Sequence, residues 1–261
     1  MNGSADYASY KTIRIRFDGP VCTLQLHRPE ANNTINEQMA EECLDFLIKY
    51  RDSLRVLVLE GLPEVFCFGA DFDAIDENIS TGGGNGSTPE TLYDVWLQLA
   101  TGPFISVAHV RGKTNAGGVG FVAACDIVLA DESAVFSLSE LLFGLMPACV
   151  LPFLIRRVGY QKAHYMTLMT QPFSAQKAES WGLVDAFEAT SDQLLRRHLL
   201  RLRRLPKKGI ERYKCYMNLL NPSLGTAKEQ ALAANFEVFS DKENLAKISR
   251  YVEDGTFPWE A

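Results

Sequence analysis

Two apolar runs in this chain each end in glycine, and that repetition limits what the chain can build. The first leads into Phe66-Cys67-Phe68-Gly69-Ala70-Asp71. The second leads into Asn115-Ala116-Gly117-Gly118-Val119-Gly120. A short apolar run bounded by turn residues fits a buried strand. Glycine at its end lets the backbone turn sharply and bring its N–H groups close to a ligand. Two such N–H groups aimed at one point make an oxyanion hole. The pair therefore predicts a site that holds negative charge on an oxygen.

The rest of the composition narrows the setting. The chain has 261 residues, 47% of them hydrophobic, which suits one large domain or a domain plus an appendage. A net charge of -6 gives no support for nucleic-acid binding. No apolar run is long enough to span a bilayer. Residues 1–10 lack the basic-then-apolar pattern of a signal peptide. A cytoplasmic protein is expected, with no nucleic acid and no membrane as partner. Cys22, Cys43, Cys67, Cys125, Cys149 and Cys215 lie in apolar surroundings without CxxC spacing, so reduced core thiols are expected. No His/Cys cluster points to a metal.

Residues 1–10 read as a flexible leader. Strands over 12–17 and 21–26 form a hairpin through Asp18-Gly19-Pro20. Thr34-Ile35-Asn36-Glu37 fits a capping box, and apolar spacing then predicts a helix to about Tyr50. A buried strand covers 56–59. A short helix follows over 71–79, and then Gly82–Gly86, either a lid or an inert insertion. A helix over 91–100 carries Leu92, Val95, Trp96 and Leu99 on one face, with Tyr93 and Trp96 read as packing. Strands are expected over 104–110, 127–130 and 134–138, with a helix over 120–125. After Pro147, helices are expected over 151–158, 162–169 and 175–181, the last capped by Ser174. More follow over 193–205, 210–220, 226–239 and 242–252. A strand-rich core over 11–190 thus precedes a helical region over 191–261, without a clean boundary.

At these residues the sequence resembles the enoyl-CoA hydratase/isomerase, or crotonase, family. Phe66-Cys67-Phe68-Gly69-Ala70-Asp71 is similar to its FCAGAD stretch. Asn115-Ala116-Gly117-Gly118-Val119-Gly120 with Ala124-Cys125-Asp126-Ile127 is similar to its GGG…ACD segment. Phe136-Ser137-Leu138-Ser139-Glu140 with Gly144-Leu145-Met146-Pro147 is similar to its FxxPE…GxxP segment. Arg28-Pro29-Glu30-Ala31-Asn32 resembles its RPxAxN loop, and Ala178-Glu179-Ser180-Trp181-Gly182-Leu183-Val184-Asp185 its AxxxGLVD segment. These motifs occur in the family's order. The resemblance implies an α/β crotonase fold, in which repeated ββα turns form a spiral core with a helical C-terminal trimerisation region. It implies an acyl thioester substrate on a phosphopantetheine arm, a homotrimer or dimer of trimers, and no bound cofactor. By position the oxyanion-hole donors are the backbone N–H groups of Phe68 and Gly117.

A hydratase of this family uses two glutamates. By position the second is Glu140, but the first falls on Gly120, so one carboxylate is missing. Glu140 alone can take an α-proton and return it to a departing β-hydroxyl, a syn dehydration, or move a proton between carbons, an isomerisation. Either role needs a carboxyl whose pKa is moved toward neutrality, which Leu138, Leu141, Leu142 and Phe143 make plausible. Asp71, Lys113, Asn115 and Gly118 border the glycine elements as candidates for substrate contact. Asp71 is as well suited to cap the next helix, and Lys113 and Asn115 to meet a substrate carboxylate. His109 reads as a satisfied core histidine.

The wording around Asn32-Asn33-Thr34-Ile35-Asn36, Gly61-Leu62-Pro63-Glu64-Val65 and Leu141-Leu142-Phe143-Gly144 is similar to the dehydrating member of bacterial polyketide β-branching cassettes. That implies dehydration of a 3-hydroxy-3-methylglutaryl group carried on an acyl carrier protein. The dense basic run Arg196-Arg197-His198, Arg201, Arg203-Arg204 and Lys207-Lys208 is either a dock for that acidic partner or a solvated helix face. A decarboxylase or isomerase using the same hole, and a non-catalytic binding or scaffold protein, stay open.

Overall fold

The computed structural model describes residues 10–81 and 88–260. The leader before Tyr10 and the Gly82–Gly86 segment lie outside the described residues. The chain begins with an antiparallel hairpin, β1 (Ile13–Asp18) and β2 (Val21–Leu26). Next come α1 (Glu37–Tyr50), β3 (Val56–Glu60), β4 (Val65–Cys67), α2 (Phe72–Thr81) and α3 (Thr88–Thr101). The second turn is β5 (Ile105–Val110), β6 (Lys113–Asn115) and α4 (Gly117–Ala124). The third is β7 (Ile127–Asp131), β8 (Val135–Ser137), a 3-10 turn over Glu140–Phe143, α5 (Leu151–Val158) and α6 (Tyr160–Met169). β9 (Phe173–Ser174), α7 (Ala175–Ser180) and β10 (Ala186–Glu188) precede the helical tail of α8 (Ser191–Leu202), α9 (Lys207–Leu220), α10 (Ser223–Ser240) and α11 (Lys242–Asp254).

Each turn sends one strand to a six-stranded sheet, order β1-β2-β3-β5-β7-β10, and one to a four-stranded sheet, order β4-β6-β8-β9. From β2 to β10 the large sheet is parallel, as are β4, β6 and β8. This is the expected ββα spiral. Alternation along the strands gives the large sheet two buried faces, as parallel sheets require. Cys22, Leu24, Leu57, Leu59 and Ala108 share one core with α1, α3 and α4. Val21, Val56, Val58, Val107 and Leu129 face the other way, against Leu194 and Leu202 of α8. Phe66, Trp96 and Phe121 are fully buried in the first core, each a gain of about 1.5–3 kcal/mol for leaving water.

Several local expectations are corrected. The α1 cap is Asn36, whose side chain accepts from the Met39 N–H; Thr34 lies in the loop before it. α4 starts at Gly117, not at residue 120. Glycine disfavours helix by about 1 kcal/mol per residue, but Gly118 through Ala124 are all buried, and packing overrides the propensity. β6, β9 and β10 have only two or three residues each and carry no readable period. All six cysteines are free thiols, yet Cys215 is exposed rather than in the core. The tail packs back onto the core, with α10 against α3 and α5, and α11 against α2. Among the described residues no helix is long and apolar enough to cross a membrane.

Candidate active site

The three strands β4, β6 and β8 run side by side, and each candidate catalytic group follows the end of one of them. Phe68 comes directly after β4. Gly69 then takes φ +93°, a conformation open to glycine. The turn is held from the Arg28 loop. The Ile35 N–H donates to Gly69 O at 2.7 Å, and Ile35 O accepts from the Asp71 N–H at 3.2 Å. Asn33, fully buried, donates to Leu26 O and Phe66 O and accepts from the Arg28 N–H. Arg28 in turn spans Thr34 O at 2.7 Å and Asp71 Oδ2 at 2.8 Å.

After β6, Ala116 takes φ 49° and ψ −117°, a backbone state that costs a non-glycine residue about 1–3 kcal/mol. It turns the chain into α4 and leaves the Gly117 N–H at the helix start. The two turns meet at Gly69, where a Cβ would fall 3.2 Å from Asn115 O and 3.6 Å from Gly117 N. Gly118 lets α4 close on β4, since a side chain there would overlap the Cys67 carbonyl. Neither the Phe68 N–H nor the Gly117 N–H donates to an acceptor among the described residues. Both are available to an oxygen placed at this junction.

Glu140 opens the 3-10 turn beyond β8. Its Oε2 is shielded from solvent and pairs with nothing among the described residues. Burial, opposed only by its own backbone N–H, pushes the carboxyl up from 4.5 to about 7. The turn is clamped by the tail. Phe143 stacks edge-on against Phe72 at 5.2 Å and Tyr251 at 5.3 Å, and Asn244 donates to Gly144 O at 3.1 Å.

Asn115 links the parts. Ser137 Oγ donates to Asn115 Oδ1 at 2.8 Å, and Asn115 Nδ2 donates to Ser139 Oγ at 3.0 Å, beside Glu140. Asp71 sits beneath the first turn, bound to Arg28 and capping the Ala74 N–H. Lys113 is exposed at the far end of β6 from Asn115. His109 is buried elsewhere, with Glu60 at 2.8 Å and Ser191 at 2.7 Å on its two nitrogens. Phe68, Gly117, Gly118, Asn115, Asp71 and Glu140 are therefore gathered, while Lys113 and His109 stand apart. Sequence reasoning missed Ser137, Ser139, Asn33 and Ile35 as supports. The two serines were legible as hydroxyls in the run before Glu140. A cavity of about 640 Å³ lined by Asp126, Arg156, Lys214 and Met217 contains none of these residues.

The arrangement sets two unpaired N–H groups on adjoining turns and, beyond β8, a carboxyl pushed toward neutrality. Residues 16–261 match the enoyl-CoA hydratase/isomerase family. The chain is 60% identical over 256 residues to the bacillaene synthase dehydratase PksH of Bacillus subtilis, covering 98% of this chain and 99% of that one. It superposes on a crystal structure of the B. subtilis polyketide biosynthesis enoyl-CoA hydratase with a TM-score of 0.93, over 96% of this chain and 100% of the other, again at 60% identity. It is 29% identical over 247 residues to the 1,2-epoxyphenylacetyl-CoA isomerase of Escherichia coli, covering 90% of each chain.

Proposed function

Because this chain belongs to the enoyl-CoA hydratase/isomerase family, we propose that it is a polyketide-pathway dehydratase that turns a 3-hydroxy-3-methylglutaryl thioester into the 3-methylglutaconyl thioester, with the acyl group held on an acyl carrier protein. One observation carries the reading: Glu140 keeps a carboxyl oxygen shielded from solvent and unpaired, just beyond the strand beside the one that leads into Gly117, and position 120 supplies no second carboxylate. The extended likeness to a dehydratase supports the direction of reaction.

In this mechanism the thioester oxygen accepts from the Phe68 and Gly117 N–H groups. Glu140 takes the α-proton, and the two donors hold the enolate charge. As the bond from Cβ to the hydroxyl breaks, Glu140 returns the proton to the departing oxygen. Water leaves and the carboxylate is restored. A pKa near neutrality suits a group that must both accept and give a proton. One such donor is worth about 100- to 1000-fold in rate.

The carrier protein and a homotrimer, or dimer of trimers, belong to the same proposal. Tyr213, Tyr216, Leu219 and Leu220 leave an apolar face exposed on α9, which suits self-association. In the basic run Arg196, Arg201, Arg204 and Lys208 are exposed, and the other cations are engaged within the chain. Arg197 pairs with Glu188 and Arg203 with Asp18, Lys207 donates to three backbone carbonyls, and α8 covers the sheet face opposite the one packed by α4.

Intact-mass spectrometry of 3-hydroxy-3-methylglutaryl-carrier protein incubated with this chain tests the proposal, with the free CoA thioester run in parallel. Loss of one water from the carrier-bound substrate is expected. Loss of water and carbon dioxide would make it a decarboxylase. An unchanged mass on both carriers would leave isomerisation or a scaffold role.

A further inference from the structure

The position that lacks the family's first glutamate is filled from elsewhere. A Cβ on Gly120 would fall 2.5 Å from Cζ2, 2.6 Å from Cη2 and 2.8 Å from Cε2 of Trp96. The same Cζ2 passes 3.9 Å from the place a Cβ on Gly117 would take. The indole of α3 thus lies along the first turn of α4, against the residue whose N–H is a proposed oxyanion donor. It is 1% exposed and set edge-on against Phe121 at 5.9 Å and Phe153 at 5.7 Å.

Packing accounts for the ring but not for its nitrogen. Trp96 Nε1 is buried with no acceptor among the described residues. A buried indole N–H ordinarily finds one, because leaving it unpaired is costly. Another buried atom left unpaired, as is Thr114 Oγ1 of β6, is an acceptor, Glu140 Oε2. Glu140 follows Ser139, which is bonded to Asn115, two residues before Gly117. The unpaired donor thus belongs to a ring packed along α4, and the unpaired acceptor to the residue after one bonded to the strand that leads into α4. A hydroxyl is the group that satisfies both, accepting from one and donating to the other.

We propose that Trp96 is a substrate-binding residue whose indole N–H donates to the β-hydroxyl oxygen of the acyl chain, while that hydroxyl donates to Glu140. The choice of ligand rests on the dehydratase reading. Held this way, the hydroxyl stays on the Glu140 side of the chain, syn to the α-proton. The proton that Glu140 takes from Cα is the one it returns as the C–O bond breaks, so atoms and charge balance without a second carboxylate. The ring also closes the space in which a side chain at position 120 would work.

The test is the indole ¹H–¹⁵N signal of Trp96 in the full-length protein, assigned by its loss in Trp96→Phe. Trp181 and Trp259 serve as internal controls. Saturation with 3-hydroxy-3-methylglutaryl-CoA on Glu140→Gln, which cannot turn it over, is expected to move the Trp96 N–H downfield. The deoxy analogue 3-methylglutaryl-CoA is expected to bind without that shift. Trp96→Phe should lower kcat/KM by about fivefold to tenfold for the hydroxy substrate, with binding of the deoxy analogue unchanged. Equal shifts with both thioesters, or no shift with either at saturation, overturn the proposal and leave the dehydratase reading standing. A selective shift in a protein whose wild type releases no water keeps the Trp96 contact and removes the dehydratase.

Discussion

Gly69 and Ala116 lie in contact across the two turns: a Cβ on Gly69 would sit 2.8 Å from the Cβ of Ala116. Gly69 also has φ +93°, where a side chain is strained whatever the space. Gly69→Ala should therefore push the two N–H groups apart. The expected loss is about 100- to 1000-fold in kcat, as for removing one oxyanion donor, with stability lowered by about 1–3 kcal/mol. Steady-state kinetics beside a urea melt separates the two effects. Full activity in a folded variant would show that the turns do not share an oxygen.

Glu140 gives a prediction with a pH signature. Its carboxyl titrates near 7 in the folded protein against an ordinary 4.5. Between those values the folded chain holds a proton that the unfolded chain has lost, so wild-type stability falls as pH rises from about 4.5 to about 7. Above that range the buried charge is a standing cost. Glu140→Gln removes it and should be more stable than wild type at pH 8 by an amount on the order of 1–3 kcal/mol, with little difference at pH 4. Turnover should fall by about 100-fold or more. A stability difference independent of pH would show that Glu140 is not an ionisable group in an apolar setting.

The wild-type rate should carry the mirror of that titration. The base must be ionised to take the α-proton, so kcat/KM is expected to rise with pH through about 7. A profile flat from pH 5 to pH 8 with a rate-limiting chemical step would assign proton abstraction to another residue.

Asn115 fixes the distance between the second turn and the glutamate through Ser137 and Ser139. Asn115→Ala cuts both links without touching an N–H donor or the carboxyl. A misplacement of about 1 Å can cost as much as about 100-fold, so kcat should fall by about 10- to 100-fold. KM should stay within about threefold of wild type, since loss of positioning in the transition state leaves ground-state binding in place. A change confined to KM would make Asn115 a substrate-binding group instead.

Beneath the first turn, Arg28 and Asp71 have side chains 13% and 8% exposed. Removing one member of such a pair leaves a charge without its partner, and Arg28→Met is expected to destabilise by about 3–5 kcal/mol. Adding Asp71→Asn should recover part of the loss, read from urea midpoints of the single and double variants. Equal midpoints for the two would mean that the pair is not coupled.

The elements that announced themselves in the sequence are those whose signal is local. The hairpin at Asp18-Gly19-Pro20, the apolar β3 and the long helices follow from turn residues and periodicity. What escaped was set by distant contacts. Nothing near Gly117 says that α4 begins there, because its three glycines argue against helix and the neighbours that override them lie in β4 and α3. Trp96 read correctly as packing, but its meeting with Gly120 joins two helices and has no trace in either segment. The site shows the same division. Phe68, Gly117 and Glu140 stand in recognisable motifs, whereas the Ser137–Asn115–Ser139 chain exists only once β6 and β8 are side by side.

In the proposed site Phe68 contributes its amide and not its ring. The side chain is 40% exposed and the strand before it sets the direction of the N–H. Any residue but proline can present the same amide. A survey that swaps amino acids one by one would thus score this position as forgiving, and a search for invariant letters would pass over it. The group is written in the main chain, so only an edit of the main chain, such as an ester in place of that one amide, can delete it.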